Sequence, residues 1–347
     1  MGALTEPAPS PLGASSSPFG ACELVLTEPE PKPRKRNYAA ENAAAKLRKT
    51  EALERLLKLR NDNVLGQQMF QMSQAFITCS VMRYSPTTER QISHTARLAD
   101  SILTVTLTAG LKDVALPYGA DRTLLYWIFD KAVKAGSPFV SLENIATYLD
   151  EMGMMDCGAN RGDLIDRMER LFGMVIGIER TNEDITDAEL LRVFSRSRLP
   201  KGSRFHSRYK PSSVPEEYRG KVGMLISPEV FADLKKYHVA VPLEVIKLHR
   251  DKPRMLDISL FLYWRSFAAQ TASMIPWDSM QEQLGHPDSN PRRLRQTVKA
   301  AIQMWKTIWP EFDCESSVEG VWIRPPKKGC YLLQESKKSR NLVLPLE

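Results

Sequence analysis

Residues able to do chemistry are plentiful in this 347-residue chain, but their spacing does not assemble a reaction centre. The five histidines (His94, His206, His238, His249 and His286) form no HxH or HExxH pair, so no metal ligand set is expected. The five cysteines (Cys22, Cys79, Cys157, Cys314 and Cys330) are scattered and include no CxxC pair. That spacing signals neither a disulfide framework nor a zinc ribbon, and it suits a reducing, intracellular setting. No GxxxxGK[ST] phosphate loop occurs, because "RGKVG" lacks the spacing. "GANRG" at 158–162 reads as a turn with an anion contact at a helix start. Asp and Glu residues fall on expected helix surfaces, where solvation is their ordinary role. The expectation is a protein without catalytic residues, cofactor or metal.

The chemistry that does stand out is positive charge. Residues 290–310, "NPRRLRQTVKAAIQMWKTIWP", carry five basic residues and no acidic one. At 100° per residue, Leu294, Val298, Ala301, Ile302, Trp305 and Ile308 share one stripe. The opposite side holds Arg292, Arg295, Gln296, Lys299, Gln303 and Lys306, and Arg293 lies in the same basic run. A solvated helix usually mixes signs, since like charges at i,i+4 repel. Arg can pair with guanine and Gln with adenine in the major groove. A merely basic, solvent-facing helix is the rival reading. A second basic segment, residues 192–210, holds seven Lys or Arg and no acid, interleaved with Phe194, Phe205 and Tyr209. Arg196, Arg198, Lys201, Arg204 and Arg208 are its candidates for phosphate contact; a solvated loop is the alternative.

These residues need elements to hold them. The net charge of +7 favours a polyanionic partner, and the 43% apolar content supports real cores. No apolar run approaches membrane-spanning length, and the N-terminus lacks a secretory pattern. Residues 1–37, rich in Pro, Ser and Ala, read as a disordered tail, and 336–347 as a C-terminal tail. Residues 38–74 read as a helical N-terminal segment with a partial stripe at Leu53, Leu56 and Leu57. "SILTVTLTA", "MVIGIER" and "KVGMLIS" read as strands, and "VEGVWIRP" and "GCYLLQE" as strands around a turn.

An internal repeat organises the rest. "LLYW" precedes Val140, Leu142, Ile145 and Leu149; "FLYW" precedes Ile275, Trp277, Met280 and Leu284 at the same apolar offsets. Third helices follow, with Leu164, Met168, Leu171 and Val175 set against Leu294, Val298, Ala301 and Trp305. Three helices running into β structure predict a winged helix in each half. The expected fold is α+β and mainly helical, with tandem winged-helix domains at 75–240 and 241–335, the basic loop 192–210 belonging to the first. Asp166 and Glu169 make the outward face of the first third helix acidic, so the second unit should be the stronger base reader.

The chain resembles the plasmid-encoded RepA-type replication initiators over roughly residues 75–335. The resemblance rests on the order of "FITCS", "LTVTLTA", "LPYGADRTLLYWIFDKAV", "RLFG", "ISPEVFADL", "VPLEVIKLHR", "LDISLFLYWRSFA", "WDSMQEQLG" and "LRQTVKAAIQMWKTIWP". It implies binding to repeated double-stranded origin DNA (iterons) and recruitment of host replication proteins such as a helicase or initiator, in the bacterial cytoplasm. The alternative is a winged-helix transcriptional regulator on an operator. The short leucine stripe admits two roles: a homodimer contact within residues 38–185, or packing of the 38–62 helix on the chain's own core.

Overall fold

The apolar residues of DRTLLYWIFDKAVKA are buried on nearly every side of helix α2 (Asp121–Ala135), which makes it the central element of the first half. Gly136, at φ 63°, stops it and donates its N–H to the carbonyls of Ala132 and Val133. The structure, a computed structural model, describes residues 38–62, 69–73, 76–77, 80, 82–97, 101–198, 221–284 and 290–326. Both tails and the "GCYLLQE" strand lie outside these residues. From Ala44 onward the described chain forms one unit.

After α2 come strand β4 (Phe139–Ser141), helices α3 (Ile145–Glu151) and α4 (Gly158–Phe172), and strands β5 (Met174–Thr181) and β6 (Thr186–Arg192). The second half repeats that order with α7 (Pro253–Ala268), β10 (Ser273–Pro276), α8 (Trp277–Gln283), α9 (Pro291–Ile308), β11 (Cys314–Ser316) and β12 (Gly320–Ile323). The expected second helices are each a short strand followed by a short helix. Pro276 disfavours helical backbone at Ile275, and β-branched Val140 sits well in a strand. Ser141 therefore ends β4, and Asn144 is the N-cap residue of α3. The repeat offsets still mark buried positions, at Val140, Leu142 and Leu149 and at Ile275, Trp277, Met280 and Leu284. Val175 leaves the helix for β5, so α4 is shorter than α9.

The sheets differ between halves. In the second, β10 and β11 flank β12, all antiparallel. In the first, β5 and β6 join β2 (Gln91–Arg97) and β3 (Ile102–Ala109) in the order β2-β3-β5-β6. Strand β4 pairs instead with β8 (Gly223–Ile226), which also pairs with β7 (Phe194–Arg198). The basic segment at 192–210 is thus not a loop throughout: Arg192 closes β6, Phe194 is buried, and 194–198 is strand. Strand β1 (Met69–Ser73) pairs with β9 (His238–Pro242), between α5 (Pro228–Lys236) and α6 (Leu243–His249).

Helix α1 (Tyr38–Asn61) buries Leu56 completely and packs Leu53 and Leu59 on the core. Arg60 donates to the Ile308 carbonyl at 3.0 Å, at the end of α9 where helix carbonyls lack partners. Of the leucine stripe, Leu56 and part of Leu53 are therefore covered by the chain itself, and Leu57 stays half-buried.

Candidate nucleic-acid interface

Helix α9 starts where Asn290 accepts a hydrogen bond from the Arg292 N–H at 3.0 Å and Pro291 occupies the first turn. One stripe goes inward: Leu294, Val298, Ala301, Trp305 and Ile308 are all 0–1% exposed. The tryptophans that punctuate the basic helix are its anchor. Trp305 donates its Nε1–H to the Ser259 carbonyl at 2.9 Å and stacks on Tyr263, with centroids 4.9 Å apart. Trp309 and Phe312 complete the cluster at 5.5 Å. Tyr126, Trp127, Tyr263 and Trp264, the repeated pair, are likewise buried core.

The opposite side is exposed along its length, at Arg292, Arg293, Arg295, Gln296, Lys299, Gln303 and Lys306. Among the described residues no carboxylate forms an ion pair with Arg292, Arg295 or Lys299. Arg295 instead lies over the Trp277 ring, 5.4 Å from its centroid. Spacing along α9 could not show Trp277, because it opens α8 at the strand-to-helix junction.

The corresponding helix α4 carries its cations differently. Arg161 pairs with Asp156 at 2.6 Å, Arg167 with Asp163, and Arg170 with Asp121 of α2 at 2.7 Å. Burial pushes the Asp121 carboxyl up, against the pull of Arg170. Glu169 is buried rather than outward-facing, which leaves Asp166 as the exposed acid of the expected acidic face. Helix α4 is thus a charge-neutralised surface, whereas Arg292, Arg295 and Lys299 of α9 meet no carboxylate among the described residues.

Of the other candidates, Arg196 and Arg198 lie on β7, at positions paired with Leu225 and Gly223 of β8. Lys201, Arg204 and Arg208 lie outside the described residues. A cavity of about 160 Å3 between the first-half sheet and α5 has an apolar lining that includes Val105, Ile176 and Val230. Exposed Glu189, Glu229 and Asp233 also line it, and their charge repels phosphate. No group of three or more His, Cys, Asp or Glu among the described residues could hold a metal ion. No described helix is long and apolar enough to cross a membrane.

No family model matches the chain, and neither does any curated protein. Two crystal structures of RctB do. One, of domains 2–3, is 12% identical with a TM-score of 0.43, covering 72% of this chain and 94% of that one. The other, of selenomethionine derivatives of domains 2 and 3, is 11% identical with a TM-score of 0.44, covering 72% and 97%. The agreement is loose in both sequence and superposition.

Proposed function

We propose that the chain is a plasmid replication initiator that binds repeated origin DNA through two winged-helix units and recruits host replication proteins, without a catalytic step of its own. The observation that carries the DNA-binding reading is the outer face of α9, where exposed Arg292, Arg295 and Lys299 lack carboxylate partners among the described residues. Such a face is unfavourable unless a polyanion meets it, and Arg and Gln at its N-terminal end suit base edges. The helix-strand-helix-helix-strand-strand order supports reading α9 as the third helix of a winged helix. The origin and the host partners come from the sequence resemblance to RepA-type initiators. A homodimer would use a surface other than the buried Leu56.

The test is duplex binding by an Arg295→Ala, Gln296→Ala double variant. It should lose about 1–3 kcal/mol for each base contact and relax base preference locally. A folded double variant with unchanged affinity and preference would sink the reading. Direct repeats of about two helical turns beside the coding sequence, and replication of a synthetic origin, separate an initiator from an operator-binding regulator.

A further inference from the structure

The hairpin of β11 and β12 has the wrong charge for a phosphate arm. It carries Glu315 and Glu319; Arg324 at its foot pairs with Asp313 at 3.0 Å, and its tip residue, Val318, is 84% exposed. Yet its turn is firmly closed. The Ser317 N–H donates to the Gly320 carbonyl at 2.8 Å, and the Gly320 N–H to the Ser317 hydroxyl at 3.1 Å. A Cβ at Gly320 would stand 2.1 Å from the Ile275 carbonyl, so only glycine lets β12 press this close to β10.

The turn holds one residue in particular. Trp277 donates its backbone N–H to the Glu319 carbonyl at 3.3 Å. Its indole Nε1–H is shared between the carbonyls of Ser317, at 3.3 Å, and Val318, at 3.1 Å. The ring is 5% exposed and lies beneath the guanidinium of Arg295. Core filling alone does not require this pair. At the matching places the first half has buried Leu142 and half-buried Ile165.

We propose that Trp277 is a specificity-determining positioning residue for DNA recognition, and that the hairpin turn is the strut that fixes it under Arg295. The inference rests on the reading of α9 as the DNA-binding helix. A free arginine has many rotamers to lose on binding, whereas a guanidinium held over an anchored ring has fewer. A guanidinium held over the ring face still has N–H groups to offer the two acceptors of guanine.

The test uses the full chain and a pool of randomised duplexes, comparing wild type, Arg295→Ala, Trp277→Leu and Trp277→Phe. Arg295→Ala identifies the base pair that Arg295 reads. Trp277→Leu should relax preference at that same pair by about two- to fivefold, the range of an exposed cation–π contact, with the salt slope unchanged. Trp277→Phe keeps the core filled but frees the ring from the turn. It should relax the same pair, and it decides the matter if the leucine variant does not fold. Uniform weakening on every duplex with preference intact would make Trp277 a core residue only and overturn the proposal. So would a binding-competent Arg295→Ala that keeps the wild-type preference. A folded wild type that retains no duplex refutes the DNA reading itself, and the positioning role with it.

Discussion

His249 shows how far burial controls single residues near the candidate interface. It lies on α6, 3% exposed, with Nε2 3.1 Å from the sulfur of Met304 on α9. Burial, helped by the charges of Lys252 and Lys49, lowers its pKa from 6.5 to about 3. The folded imidazole is therefore neutral, while the unfolded one takes up a proton as pH falls below 6.5. Its contribution to stability is complete above that value and is lost as pH falls toward the folded value. Relative to His249→Gln, wild type should lose about 1.4 kcal/mol per pH unit through this window. Urea denaturation of both chains at about pH 7 and about pH 5 measures it. A constant offset between them would show that His249 titrates as if exposed.

Among the elements, α4 and α9 share a place in the repeat but not a surface. The three basic residues of α4 each meet a carboxylate, one of them Asp121 on a different helix. The exposed Arg161–Asp156 pair contributes little to stability, but all three pairs reduce the field a phosphate would respond to. The basic segment from Arg192 onward is a different case, because it begins at the end of β6 and continues as strand β7 rather than as a free loop. Arg196 and Arg198 are thereby attached to a sheet. Replacing Arg196, Arg198, Arg204 and Arg208 by Ser should weaken binding to all duplexes alike and flatten the dependence of affinity on salt. An unchanged slope in a filter-binding titration would assign these residues to solvent.

On the scale of the molecule, a buried polar hub joins the two halves. Arg122 of α2 pairs with Asp257 of α7, which also accepts from Ser80. The same guanidinium donates to the carbonyls of Met82 at 2.9 Å, Arg83 at 3.0 Å and Gly119 at 2.9 Å. The Tyr84 ring lies within 5.0 Å of the Arg122 guanidinium and 5.1 Å of that of Arg254, and its hydroxyl donates to the Leu284 carbonyl at 3.3 Å, at the end of α8. Burial pushes the Asp257 carboxyl up, against the pull of Arg122 and Ser80. Removing one partner strands a charge in the interior, whereas removing both does not. Asp257→Ala should cost about 3–5 kcal/mol, and Asp257→Leu combined with Arg122→Met should recover most of that. Thermal unfolding of the two variants compares them; equal losses would mean that the hub matters for packing and not for charge.

The residues themselves determined the amphipathic stripe of α9, the stop at Gly136, the strands at 102–109 and 174–181, and the repeated buried positions around Leu142 and Trp277. Each of these depends on local periodicity or local backbone preference, which neighbouring residues carry. Only the tertiary structure decided which cations are neutralised. Arg170 meets Asp121 49 residues away, Arg122 meets Asp257 135 away, and Arg60 reaches the Ile308 carbonyl 248 away. It also decided that Leu56 of the leucine stripe turns inward, that β4 pairs with β8 instead of the adjacent hairpin, and that Trp277 lies beneath Arg295. Partners so distant in sequence leave no periodic trace, because their meeting depends on how the elements between them pack.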